Sequence, residues 1–213
     1  MGKIKQGVIG SFSGKVGNVV GAMWKGIAYM RILPASVANP KTDKQLDQRS
    51  RFTIILRFLQ PLTQFLRTGF KNYAVKMSAF NSAMSYNILN AIQGTYPNFT
   101  IDYPNALVAR GKLAPALNQA AASTVAGTVL FTWTDNSDES GASALDQSLL
   151  VVFDPEKNQA VTFSKLGTRA DATQEVTVPH SFSGDLVHCY MAFIKPDRST
   201  VSNSKYAGAI TVA

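Results

Sequence analysis

Cysteine occurs once in the chain, at Cys189, and histidine only at His180 and His188. A single thiol excludes an intramolecular disulfide and a cysteine-based zinc cluster. The two histidines stand in neither an HxxxH nor an HExxH arrangement. Adjacent residues of a strand point to opposite faces, so His188 and Cys189 do not form a catalytic pair. The expected roles are a hydrogen-bonded structural histidine and a small buried thiol. A nucleophile elbow is missing too, because the centre of "GSFSG" is Phe12 where that motif needs serine. Long apolar runs are also lacking. No stretch near Gly17 and Gly21 approaches the roughly 20 residues of a membrane span, and Lys15 and Lys25 bracket it. The opening residues carry lysines but no apolar segment of a secretory signal, so the expectation is a chain made in the cytoplasm without export.

Acidic residues are scarce in one part of the chain. Residues 1–77 carry thirteen Lys/Arg against Asp43 and Asp47, a net charge of +11, whereas residues 78–213 carry eight against eleven acids, a net charge of −3. A two-sided charge distribution suits either a polyanionic partner or association of one copy's basic part with another's acidic part.

The glycine-rich stretch "GKVGNVVGAMWKG", Gly14 to Gly26, invites comparison with a phosphate loop. Val16 follows Lys15 where that loop needs Ser or Thr for its metal ion, and the upstream glycine is missing. The spacing of Gly14, Gly17 and Gly21 does not fit a dinucleotide fingerprint either. Glycines within strands make room for a bulge or a close backbone. "VVGAMW" and "KGIAYMRIL" are expected to pair as a hairpin that covers its own chain or docks on another subunit. Asp135, Asp138 and Glu139 form an acidic cluster without the frame of a calcium-binding EF-hand, so a solvated turn is the expected reading. These absences point to a non-enzymatic protein with no cofactor, no metal and no small-molecule substrate.

Downstream, Thr42 and Gln45 form a capping box after the Asn39-Pro40 breaker. Leu46, Phe52, Leu56, Phe58 and Leu59 then follow helical spacing until Pro61. Phe80, Met84, Ile88 and Ile92 predict a further helix, with Gly94 as its stop. From about Tyr96 the period changes. Runs such as "TVLFTWTD", "QSLLVVFD", "QAVTFSKLG", "TQEVTVPHSF", "LVHCYMAFIKP" and "SKYAGAITV" alternate with polar turns and predict six or seven antiparallel strands. The Trp in an early strand and the late "GDLVHCYMAF" resemble fibronectin type III and other immunoglobulin-like modules. The expected fold is α+β: a basic hairpin-plus-helix region over residues 1–95, then an immunoglobulin-like β-sandwich over residues 96–213.

The candidate functional residues are Lys15, Trp24, Lys25, Arg31, Arg49 and Arg51. As an assembly surface, the cations meet acidic loops of neighbouring copies and Trp24 is a buried anchor. As a nucleic-acid surface, they and further cations such as Lys5 neutralise phosphates while Trp24 and Tyr29 stack on bases. "SGKVGNVVGAMWKG", "NPKTDKQLDQRSRF", "NAIQGTYPNFTIDYPNALVARG" and "VSNSKYAG" together resemble a family of uncharacterised Bacteroidota proteins of about this length. The pattern at Asn39, Pro40, Thr42, Gln45, Arg49 and Phe52 is similar to N-terminal segments of proteins encoded by phages or prophage-like regions. That resemblance implies a virion, particle or filament component. The expectation is a self-assembling homo-oligomer, with nucleic-acid binding through the basic half as the alternative.

Overall fold

The computed structural model describes residues 2–4, 10–24, 26–36, 39 and 41–213; Lys5, Lys25 and Pro40 lie outside the described residues. The chain divides into two units, Met1–Thr42 and Asp43–Ala213.

The first unit is an antiparallel sheet in sequential order: β1 (Lys3–Ile4), β2 (Phe12–Val16), β3 (Val19–Trp24) and β4 (Ile27–Ile32). Gly17 and Gly26 adopt φ values of +55° and +86° in the two tight turns, a backbone region in which a side chain is strained. The hairpin expected between "VVGAMW" and "KGIAYMRIL" is β3 paired with β4, from Val19↔Ile32 to Trp24↔Ile27. Strand β2 adds to its other side through Gly14↔Gly21, Lys15↔Val20 and Val16↔Val19. A Cβ at Gly21 would stand 2.1 Å from the Phe12 carbonyl oxygen, so glycine here allows the close backbone approach read from the sequence.

The second unit begins with α1 (Asp43–Leu59), which starts directly after Thr42 and ends ahead of Pro61. It continues through α2 (Thr63–Gly69) and α3 (Ala79–Asn90). The Ser78 side chain caps α3 by accepting a bond from the Asn81 N–H at 3.1 Å. The helix stops at Asn90, so the expected stop at Gly94 falls instead within a small hairpin, β5 (Ile92–Thr95) and β6 (Asn98–Ile101).

Seven further strands complete this unit: β7 (Leu117–Ala122), β8 (Thr128–Thr134), β9 (Gln147–Asp154), β10 (Gln159–Thr168), β11 (Thr173–Thr177), β12 (Leu186–Ile194) and β13 (Lys205–Thr211). They form one sheet of order β10-β9-β12-β13 and another of order β11-β8-β7. Two antiparallel sheets with this interleaved order constitute an immunoglobulin-like β-sandwich, and the fold as a whole is α+β.

Burial explains how the helices join it. Along β8 burial alternates, with Val129, Phe131 and Trp133 inside, because only one face is covered. Along β9 every residue from Ser148 to Asp154 is buried. Leu150 and Val152 face the other sheet, whereas Leu149, Val151 and Phe153 share a core with Ile55, Phe58, Leu59, Leu62 and Leu66 of the helical segment. Phe58 meets Phe153 edge to face, ring centres 5.0 Å apart. The change of period near residue 96 therefore marks a switch from helices to strands within one compact unit, and the division between units lies at Thr42. The physical reason is that a sheet apolar on both faces needs a second layer over it.

The loop before β7 is held to the one before β13. Ser204 Oγ accepts the N–H groups of Val108 at 2.9 Å and Ala109 at 3.3 Å, while Asn203 Oδ1 accepts that of Gly111 at 3.0 Å. "NALVARG" and "VSNSKYAG", two of the stretches that carry the family resemblance, are thus one hydrogen-bonded seam.

Arg169 is fully buried at the end of the sandwich. Its Nε and Nη2 donate to Asp146 Oδ2 at 3.2 and 3.1 Å, and Nη2 also donates to the Ala114 carbonyl at 2.9 Å. Asn136 accepts a further bond from Nη1, and the Phe193 ring centre lies 4.0 Å from the guanidinium carbon. Burial lowers the pKa of Arg169 and Asp146 opposes that shift. Removing one member of such a pair leaves a buried charge uncompensated. Asp146→Ala is expected to destabilise the sandwich unit by about 3–5 kcal/mol, measured by urea unfolding.

Candidate functional site

The first unit has a composition that normally builds a core. Yet among its described residues only Gly21 is buried. Met23, Trp24, Ile27, Met30 and Ile32 are 68%, 62%, 65%, 69% and 77% exposed, and Val16, Tyr29 and Leu33 are exposed as well. Every residue of β4 is exposed.

Register separates these side chains into two faces. Lys15, Val20 and Arg31 align across β2, β3 and β4, so they share a face, and two-residue alternation adds Ala22 with Tyr29 and Trp24 with Ile27. The opposite face carries Val16, Val19 and Ile32, then Met30 beside Gly21, and Met23 beside Ala28. One face is therefore cationic and aromatic, the other purely apolar.

Of the residues singled out in the sequence, Lys15, Trp24 and Arg31 are brought together on that cationic face. Lys25 lies outside the described residues. Arg49 and Arg51 belong to α1 in the second unit. Arg51 Nε donates to Asp47 at 3.0 Å and its guanidinium sits 4.5 Å from the Phe99 ring centre, an arrangement that ties α1 to the small hairpin. Both contacts lie within the second unit.

The side chains of β12 divide as strand alternation requires. Cys189 points into the inter-sheet core, where burial pushes its thiol up to about 12. His188 faces the other way, stacked on Tyr103 with ring centres 3.5 Å apart, and its Nδ1 is 2.8 Å from the Tyr206 hydroxyl. Burial lowers its pKa to about 4. The acidic segment around Asp135 forms a turn in which Ser137 N–H donates to Asp135 Oδ1 at 2.9 Å. Among the described residues no group of three or more His, Cys, Asp and Glu could hold a metal ion, and no helix is long and apolar enough to cross a membrane.

Sequence reading missed Arg169, whose surroundings are assembled from distant segments, and a cleft of about 780 Å³ beside Arg110. The Arg110 guanidinium there lies 4.3 Å from the Tyr73 ring centre and 5.1 Å from that of Tyr86.

A family model of unknown function matches residues 11–208, most of β2 through β13. The chain belongs to DUF6266, a family of unknown function. The match joins both units of this DUF6266 chain, so the exposed sheet and the sandwich belong to one family pattern. No curated protein matches the chain. Among solved structures, the fn3 domain of the human collagen alpha-1(XX) chain aligns at 16% identity over 47% of this chain and 87% of that one, with a TM-score of 0.36. The sandwich assignment rests on the strand order itself.

The His188 shift has a definite consequence for stability. A histidine held at about 4 in the folded state, against 6.5 ordinarily, leaves the unfolded chain binding more protons between those values. Its contribution is fully present above about 6.5 and is lost as the pH falls through about 4. Urea-unfolding stability measured from pH 7 to pH 4 is expected to fall more steeply for the natural chain than for His188→Gln. Parallel curves would refute the assignment.

Proposed function

We propose that this protein is a non-enzymatic structural component that assembles with copies of itself through its N-terminal sheet. The observation that carries the reading is a four-stranded unit in which the only buried described residue is a glycine. Domains below about 40 residues rarely stabilise themselves without disulfides, metals or association. The chain's one cysteine lies in the other unit, so no disulfide staples this sheet, and contact with another copy is the route this reading assigns to it. A standard interface removes about 800 Å² from each partner, and Val16, Met23, Met30 and Ile32, exposed together on the apolar face, supply part of such a surface. The charge imbalance favours the same outcome, since a basic N-terminal part and a net acidic remainder attract one another between copies. The most concrete version is a component of a phage-like particle, virion or filament.

A second reading is favoured by one specific feature. Lys15, Arg31, Tyr29 and Trp24 share a sheet face, and cations interleaved with aromatics suit single-stranded nucleic acid. Sedimentation of nuclease-treated full-length protein separates the two readings. Ordered assemblies free of nucleic acid are expected; a monomer that binds RNA or DNA with a steep salt dependence would contradict assembly and favour the alternative. Trp24→Ala is expected to weaken association at least tenfold while leaving the unfolding midpoint of the sandwich unchanged. An unaltered oligomer distribution would remove Trp24 from the interface.

A further inference from the structure

The open side of β4 carries information about how copies meet. Among the described residues β4 pairs with β3 alone and forms one edge of its sheet. Leu33 N–H donates to the Asn18 carbonyl at 2.7 Å, in the same register as the strand pairs from Val19↔Ile32 onward. Hydrogen-bonded and non-bonded pairs alternate in an antiparallel ladder. Arg31, Tyr29 and Ile27 therefore direct their main-chain groups toward β3. Ala28, Met30 and Ile32 direct theirs outward. Natural sheets blunt such edges with lysines, prolines or bulges. Here the edge has one charge, Arg31, and its proline, Pro34, comes after the strand has ended.

We propose that β4 pairs antiparallel with β4 of a second copy about a two-fold axis through Met30, joining two sheets into one. This inference rests on the assembly reading and adds a second contact, between like sheets, to the charge-complementary one between the basic part of one copy and the acidic remainder of another. Three observations select the register. Side chains opposite each other across such an axis must share a face, so only centres on a residue are allowed. A centre on Arg31 sets two guanidinium groups directly opposite, which is destabilising, and brings Pro34, which has no N–H, opposite Ala28. A centre on Tyr29 leaves Ile32 facing Gly26, which lies in a turn with φ of +86° rather than in the strand. The Met30 centre uses all the outward groups: Met30 meets Met30 of the partner subunit, and Ala28 meets Ile32 of the partner subunit. On the cationic face it sets Arg31 against Tyr29 of the partner subunit, a cation–aromatic contact made twice by symmetry. The apolar face of one copy then continues across the junction into that of the other.

The test uses full-length chains carrying Met30→Cys, Tyr29→Cys or Arg31→Cys. Native Cys189 is buried and does not compete. In the proposed register residue 30 faces itself at about 5.5 Å between Cα atoms, within disulfide reach. Residue 29 lies roughly 8 Å from its own copy, beyond that reach, but faces residue 31. Under mild oxidation Met30→Cys is expected to form covalent dimers. Tyr29→Cys and Arg31→Cys are expected to do so only when mixed. Oligomers that persist while Met30→Cys stays uncrosslinked would overturn this register and leave the assembly reading standing. A natural chain that sediments as a monomer at high concentration would overturn both.

Met30→Pro supplies an independent check. Its missing N–H faces outward, so the ladder to β3 keeps its bonds while the open edge is capped. Half-association is expected to need at least a tenfold higher concentration, and association equal to that of the natural chain would overturn edge pairing.

Discussion

Apolar surface has to leave water if a chain is to hold one structure, and the two units meet that constraint in opposite ways. In the second unit, β9 and β12 are covered on both sides, by helices on one and by the β11-β8-β7 sheet on the other. In the first unit the strands carry side chains of the same kind, such as Met30 and Ile32, and leave them exposed. The first arrangement is self-sufficient. The second is complete only when another surface is added, and that requirement is the physical basis of the assembly reading.

The polar features of the sandwich unit serve its own cohesion. Arg169 gathers Asp146, Asn136 and the Ala114 carbonyl around a buried guanidinium, and Trp133 Nε1 donates to the Arg169 carbonyl at 2.8 Å. Asn87 is similarly enclosed, bonded to the Leu107 N–H and carbonyl, both at 2.9 Å, so that α3 is tied to the loop before β7. Such networks order the loops at the end of the sandwich at the cost of dehydrating charge. His188, Tyr103 and Tyr206 form a packed and hydrogen-bonded cluster of the same structural kind.

Much of the sandwich was legible because alternation and turn chemistry are local. "QSLLVVFD" coincides with β9, and "TVLFTWT" with β8. Less was legible about layering. The unbroken apolar run of β9 already signals two covered faces, whereas the alternating β8 signals one, and that contrast would have joined the helices to the sandwich. Strand β7, "LNQAAA", escaped because small and polar residues have weak strand preference and its place is set by pairing with β8. Arg169 was invisible because its partners lie 23, 33 and 55 residues away. In the first unit the glycine spacing pointed correctly to strands. Register then showed what spacing could not: Lys15, Trp24 and Arg31 share a face, while Arg51 is engaged with Asp47 in another unit.

The central claim is that the N-terminal sheet draws its stability from contact between copies. Amide hydrogen exchange through β3 and β4, followed as a function of protein concentration, tests it most directly. The account predicts that protection of these amides rises with concentration while protection in β9 and β12 stays constant. Protection in β3 and β4 that is independent of concentration and equal to that of β9 would contradict it.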